Sequence, residues 1–459
     1  MSGTNGRHEF PPDFLFGTAT SAYQIEGATT EDGRGPSIWD TFSATPGKVW
    51  NGDTGAIACD SYHRYGVDIA RMQELGLNAY RFSIAWPRVI PEGRGRVNEA
   101  GLDFYDRLVD DLLAAGIQPF VSLYHWDLPQ ALEDAGGWPE RATPEAFGDY
   151  VEVIAKRLGD RVRNWLTQNE PYCISWLGYG LGLHAPGRTE RASAVAATHH
   201  VLLSHGLALE TLRRESPKAE VGIVLDSWPV YPESDDPRDA EAAVEADGMR
   251  NRLFFDPVLR GSYPEDVVEW LADTPLPVRD GDLALISAPI DFVGLNNYSR
   301  TIVRADTDGR PHSVMNGGPT TDMGWEIYPN GIYDVLSRLH HEYGVQKLYV
   351  TENGAAFADV PRHDGRIEDH DRIAYLTQYL GAVGRAIEDG IPVRGYFVWS
   401  LLDNFEWAYG YSRRFGLLYV DFPTLERIPK SSFYWYRDVI GSRTVPELEP
   451  APVSGDEPT

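Results

Sequence analysis

Apolar positions along the chain recur with two alternating periods. Tyr65, Ile69, Met72 and Leu75 lie on one helical stripe, which Gly76 can close. The β-rich run 79–84 follows. Phe104, Leu108 and Leu112 form a second stripe ahead of Gly116 and the run 117–123. In a third unit Thr143 is expected to cap a helix with Pro144 at its first position. Phe147, Val151, Ile154 and Leu158 form its stripe, Gly159 is expected to end it in a left-handed conformation, and 162–167 reads as a strand. Further strand candidates are 14–19, 221–225, 291–295, 348–351 and 393–398. Eight strands, most separated by helical patterns, imply parallel pairing. The fold class is therefore α/β: a single (β/α)8 TIM barrel with long active-site loops at the C-terminal face of its strands.

The chain has 459 residues, whereas a minimal barrel needs about 250. The excess is expected in long loops, with the Gly- and Pro-containing stretches 178–187 and 309–318 as candidates. No linker divides the chain into two folded units. Residues 10–444 are read as the catalytic barrel, with 1–9 a disordered N-terminus and 445–459 a disordered acidic, Pro-rich tail.

Charge narrows the function. With 41 Lys and Arg against 68 Asp and Glu, the formal net charge is −27, which repels a phosphate backbone. No nucleic-acid partner is expected. Nor is a membrane partner, because no run of about 18 apolar residues occurs. Residues 1–9 are polar and carry no signal-peptide pattern, so a cytoplasmic location is expected. A homo-oligomer is compatible with the sequence. Cys59 and Cys173 make no disulfide framework. His199 and His200 lack the HExxH spacing, and Gly178, Gly180 and Gly182 fail the dinucleotide fingerprint. No metal or cofactor is expected.

In a TIM barrel the chemistry sits at the C-terminal strand ends. Gln24 and Glu26 follow the first strand, and Arg81 lies within the second. His125 and Trp126 follow the third, Asn169 and Glu170 the fourth, and Asp226 the fifth, with no role assigned to it. Asn296, Asn297 and Tyr298 follow the sixth, Glu352 and Asn353 the seventh, and Trp399, Asp403, Glu406 and Trp407 the eighth. Two carboxyl groups facing each other across one barrel can cleave a glycosidic bond. One protonates the leaving oxygen; the other attacks or activates water. Amides and an imidazole can hold sugar hydroxyls, and tryptophans can stack on a pyranose face.

On these residues the chain closely resembles glycoside hydrolase family 1, the β-glucosidase and β-galactosidase family. Residues 14–27 (FLFGTATSAYQIEG) match its N-terminal signature, 167–171 (TQNEP) its acid/base motif and 349–354 (YVTENG) its nucleophile motif. The resemblance runs from about Phe10 to Ile440. It implies that Glu352 is the nucleophile, served by Arg81 and Tyr298, and that Glu170 is the general acid/base. Gln24, His125, Asn169, Glu406, Trp399 and Trp407 match glycone-binding positions, and Trp126 accompanies them. Asn296 lies beside them, Trp325 matches an aglycone platform, and Phe415 matches the pocket wall. The implied activity is that of a retaining exo-β-glucosidase acting on oligosaccharides or aryl and alkyl glucosides, extending to β-galactosides and β-fucosides. Glu406 stands where 6-phospho-glycosidases lack a carboxylate, which favours an unphosphorylated sugar. Glu170, where the plant thioglucosidases have Gln, argues against that branch. Gln168, Tyr172 and Asn297 depart from the residues usual in the family.

Overall fold

A computed structural model describes residues 7–315 and 317–446. Eight parallel strands close into a barrel in chain order. They are β1 (Leu15–Ala19), β2 (Ala79–Ser83), β3 (Gln118–Ser122), β4 (Asn164–Asn169), β5 (Glu220–Asp226), β6 (Phe292–Asn296), β7 (Leu348–Asn353) and β8 (Val393–Trp399). Closure is direct: β8 pairs with β1 through Trp399 and Ala19, and β7 pairs with β6 through Leu348 and Val293. Each strand lies within two residues of its sequence expectation.

Side chains pointing inward and outward along these strands build two cores. Phe120, Phe292, Tyr349 and Phe397 fill the barrel, with ring centroids 4.9 Å apart for Phe120–Phe397 and 5.1 Å for Phe292–Tyr349. Gly17 makes room for them, since a Cβ there would lie 2.4 Å from the Phe397 ring. The second core lies between the barrel and the surrounding helices. Ile69, Met72 and Leu75 from Ser61–Leu75 and Phe147, Val151, Ile154 and Leu158 from Ala142–Leu158 are all buried in it. Gly76 (φ 81°) and Gly116 (φ 76°) follow their helices in the left-handed region that a side chain disfavours.

The structure corrects several local expectations. Ala142–Leu158 begins before Thr143, whose hydroxyl donates to Gly137 O at 2.6 Å instead of capping the helix. Gly159 is right-handed (φ −69°) and is small because Ala155 O and Ser216 crowd it. A wide π-type helix, Cys173–Gly180, runs into the first predicted loop at 178–180, and Pro311–Val314 within the second is a strand. Arg7–Glu9 and Thr444–Pro446, placed by the sequence wholly or partly in disordered ends, pair as an antiparallel ribbon. The contact is non-local, joining the two ends of the chain, and short-range patterning does not report it. The remainder of those two segments, 1–6 and 447–459, lies outside the described residues.

Candidate active site

The mouth of the barrel is shaped where strand pairing breaks. The β4–β5 register shifts between Leu166 and Asn169, and the β7–β6 register shifts between Val350 and Glu352. Both irregularities directly precede a carboxylate, a common use of a bulge beside a reactive group. Glu170 (φ 54°), Trp126 (φ 78°) and Trp407 (φ 48°) are left-handed although none is glycine. Each costs on the order of 1–3 kcal/mol, which the surrounding packing must supply.

Glu352 is 4 % exposed and held from two sides. Arg81 Nη1 forms an ion pair with Oε1, and the Tyr298 hydroxyl donates to Oε2 at 2.7 Å. The Tyr298 carbonyl in turn accepts from the Tyr379 hydroxyl at 3.0 Å. Arg81 is fully buried; its Nε donates to the Ser122 hydroxyl at 3.1 Å and its Nη2 to Asn169 Oδ1 at 2.6 Å.

Glu170 sits in different company. It is 6 % exposed and accepts from Asn296 Nδ2 at 2.7 Å. Asn296 is oriented by the Thr351 hydroxyl, which donates to its Oδ1 at 2.8 Å. Burial pushes the Glu170 carboxyl well above the usual range, and nearby Asp226 and then Glu352 push it further. Because Asn169 Oδ1 accepts from both Arg81 and Asn296, one chain of hydrogen bonds links the two carboxylates: Glu352, Arg81, Asn169, Asn296, Glu170.

The remaining predicted residues gather around this pair. Asn169 Nδ2 faces His125 Nε2 at 3.2 Å, leaving His125 Nδ1 buried without a partner. Burial and then Arg81 hold this imidazole well below its ordinary pKa, so it is neutral. Its ring is parallel to Trp399 and to Trp407, each with a centroid 5.9 Å away. Gln24 is fixed by the Ser21 hydroxyl at 2.6 Å and donates to Phe405 O at 2.9 Å and to Glu406 at 3.5 Å. Burial and then repulsion from Glu352 push Glu406 up to about 8. Trp325 packs on Tyr298 at 5.2 Å and Phe415 at 6.2 Å, an aromatic wall beside the Tyr298–Glu352 pair. Trp126 packs against Trp407 at 4.6 Å, with its indole N–H on Asn169 O at 2.9 Å. Glu26, expected to support the local fold, binds Arg88 and the Tyr105 hydroxyl (2.7 Å) away from this centre. His199, expected to be packed, is buried against Tyr263 and Asp282.

Sequence reasoning missed the neighbours of Glu170 on the far side. Asp226 was visible at the end of β5 but had no assigned partner. Arg250 forms its ion pair from a segment that carries no motif. Trp228 meets Trp325 edge-on at 5.5 Å. Glu170, Cys173 and Asp226 place one ligand-type atom each within 4.8 Å of one another, as a metal site would. Arg250 already supplies the positive charge there.

A family model described as glycosyl hydrolase family 1 matches residues 6–445. Beta-glucosidase A of Acetivibrio thermocellus is 49% identical over 438 residues, covering 94% of this chain and 98% of that protein. A bifunctional beta-D-glucosidase/beta-D-fucosidase of Bifidobacterium breve is 48% identical over 462 residues, covering 95% and 99%. Among solved structures, the β-glucosidase of Thermotoga maritima in complex with glucoimidazole superposes with a TM-score of 0.93 at 48% identity, covering 95% of this chain and 99% of that one. A Thermotoga maritima family 1 glycoside hydrolase complexed with a cyclophellitol-analogue transition-state mimic gives 0.94 at 47% identity, covering 96% and 100%.

Proposed function

The chain belongs to glycosyl hydrolase family 1, and from that premise we propose that it is a retaining, exo-acting β-glucosidase in which Glu352 attacks and Glu170 moves the protons. The asymmetry between the two carboxyl groups carries the reading. Arg81 and Tyr298 steady a negative charge on Glu352, as a nucleophile requires. Burial, Asp226 and Glu352 favour a proton on Glu170, as a general acid requires.

The reaction then follows in two balanced halves. Glu352 Oε bonds to the anomeric carbon while the glycosidic C–O bond breaks, and the Glu170 proton passes to the leaving oxygen. The glycosyl-enzyme no longer carries the Glu352 charge, so one cause of the raised Glu170 pKa disappears and Glu170 becomes a ready base. It takes a proton from water, whose oxygen attacks the anomeric carbon and releases Glu352. Two inversions leave a β-product.

Gln24, His125, Asn169 and Glu406 hold the glycone hydroxyls in this reading, Trp399 and Trp407 form the walls around them, and Trp325 with Phe415 receives the aglycone. Glycone-holding groups on one side of the two carboxyl groups and an aromatic wall on the other suit removal of a single terminal glucosyl unit from an oligosaccharide or an aryl or alkyl glucoside. Activity on β-fucosides is supported by the Bifidobacterium relative's name, and activity on β-galactosides by a Thermotoga maritima complex with galacto-hydroximolactam. The absence of any helix among the described residues long and apolar enough to cross a membrane is compatible with action in the cytoplasm.

The test follows the first-formed sugar from an aryl β-glucoside by NMR. β-Glucose is expected before mutarotation. The α-anomer sinks retention, and no released glucose sinks the glucosidase reading altogether.

A further inference from the structure

Asp226 and Arg250 take no part in the chemistry above, yet they are packed against its acid. Asp226 ends β5, opposite Asn296, the residue that donates to Glu170. Backbone bonds lock this edge: Glu170 N donates to Val224 O at 3.0 Å and Ser227 N to Asn296 O at 3.0 Å. Carboxyl oxygens of Glu170 and Asp226 and the Cys173 sulfur lie within 4.8 Å of one another, and the thiol points at Asp226 Oδ2 at 3.9 Å. Arg250 is ion-paired with Asp226, its guanidinium stacked 3.9 Å from the Tyr172 ring centroid and 5.8 Å from that of Trp228.

This arrangement is costly unless it is used. Two buried carboxyl groups at this separation cannot both ionise freely. Arg250 eases the burial of Asp226 and is itself held between aromatic faces. Resting on the reading of Glu170 as the acid/base, we propose that Asp226, steadied by Arg250, is a positioning residue for Glu170: its buried negative charge keeps the Glu170 proton in place at pH values where an ordinary carboxyl would have lost it. The groups facing Glu170 are few. Asp226 comes from β5 and Arg250 from the segment beyond it, Glu352 from β7 with Arg81 of β2 bonded to it, Asn296 from β6, Tyr298 from the loop after β6, and Cys173 from its own segment. Of these, Asp226 raises the Glu170 pKa more than Glu352 does. Its charge also outlasts the glycosyl-enzyme, which consumes that of Glu352. The proton affinity of Glu170 is therefore only partly reset in mid-reaction, leaving it basic enough to draw a proton from water.

The sign is definite. Glu170 must be protonated in the free enzyme, so kcat/KM falls as pH rises through its pKa. Asp226→Asn removes the like charge and leaves Arg250 unopposed, so both changes lower that pKa. The alkaline limb of kcat/KM for an unactivated β-glucoside is expected to move to lower pH by about one unit. Asp226→Ser, shorter and also uncharged, should give the same displacement, and Asp226→Glu, which keeps the charge, should stay near the wild-type limb. A merely structural Asp226 would lower activity or Tm without moving the limb, and an unmoved limb in both uncharged variants overturns the proposal. Failure of the wild type to release glucose at all would instead overturn the glucosidase reading on which it rests.

Discussion

Two clusters of buried charge lie near the C-terminal end of the barrel, and they are built on opposite plans. Behind β8, Asp359, Asp369 and Asp403 meet Arg372, Arg414 and Lys430. Lys430 Nζ donates to Asp359 at 2.5 Å and Asp403 at 2.7 Å, Arg372 binds Asp359 at 2.8 Å and also Asp369, and Arg414 binds Asp403 at 2.6 Å. Three carboxylates face three cations. Burial raises the Asp359 pKa, but Lys430 and Arg372 outweigh it and hold the group below its ordinary value. In the mouth itself, Glu352 pairs with Arg81 and Asp226 with Arg250, while Glu406 feels the more distant Arg413. Glu170, Asp226 and Glu406 are all pushed up, burial being the largest cause for each. The same forces fix the charge of Asp359, where cations outweigh burial, and favour a proton on Glu170 and Glu406, where they do not. The balanced cluster holds the loop carrying Asp403 against the segment carrying Lys430. The unbalanced one is tolerated because catalysis needs it.

The sharpest break in this comparison is at Glu352, whose cation, Arg81, is fully buried. Glu352→Ala removes the proposed nucleophile and leaves Arg81 without its anion. A loss of at least about 10⁴-fold in kcat/KM is expected. Azide in place of the missing carboxylate should restore turnover and give an α-glycosyl azide, identified by NMR. Rescue with a β-azide would mean that the wrong carboxyl has been assigned as nucleophile.

Removing a charge from the balanced cluster should act on the fold instead. Lys430 is fully buried. Lys430→Met leaves Asp359 and Asp403 short of a partner in a dry site, an expected loss of about 3–5 kcal/mol in unfolding free energy. Urea denaturation measures it. The surviving enzyme should show an unshifted pH profile. A loss below about 1 kcal/mol, or a displaced limb, would erase the distinction between the two clusters.

The sequence made most of the barrel legible because both of its periods are local. A helical stripe such as Phe147–Val151–Ile154–Leu158 and a short apolar run such as 393–398 each announce themselves within one window. The two carboxyl groups were legible because strand ends bring them to one face and the surrounding motifs are long. What stayed hidden was non-local. The Arg7–Glu9 and Thr444–Pro446 ribbon joins segments more than 430 residues apart. Arg250 reaches Asp226 from the short wide helix Gly248–Arg252, whose sequence carries no motif, so the like-charge neighbour that raises the Glu170 pKa most could not be paired in advance. Burial is the largest cause of that rise, Asp226 the second and Glu352 the third. Glu406 is also sharpened. As a group pushed up to about 8, it can carry a proton near neutrality and both donate to and accept from sugar hydroxyls.

That property makes Glu406 the finest test of the unbalanced mouth. Its ordinary value is 4.5, and burial with repulsion from Glu352 lifts it to about 8 in the folded protein. Below the lower value both states hold the proton, and the group leaves the folding equilibrium unchanged. Between the two values the folded protein keeps a proton that the unfolded chain has shed, so stability falls as pH rises through this window. The slope cannot exceed about 1.4 kcal/mol per pH unit for one group. Glu406→Gln preserves shape and hydrogen bonding while removing the titration. The Tm of this variant, measured without ligand, should match the wild type near pH 4.5 and exceed it increasingly up to pH 8, while KM for a β-glucoside rises. A gap that stays constant with pH would mean that Glu406 ionises as it does in the unfolded chain. The mouth would then be as well compensated as the cluster around Lys430.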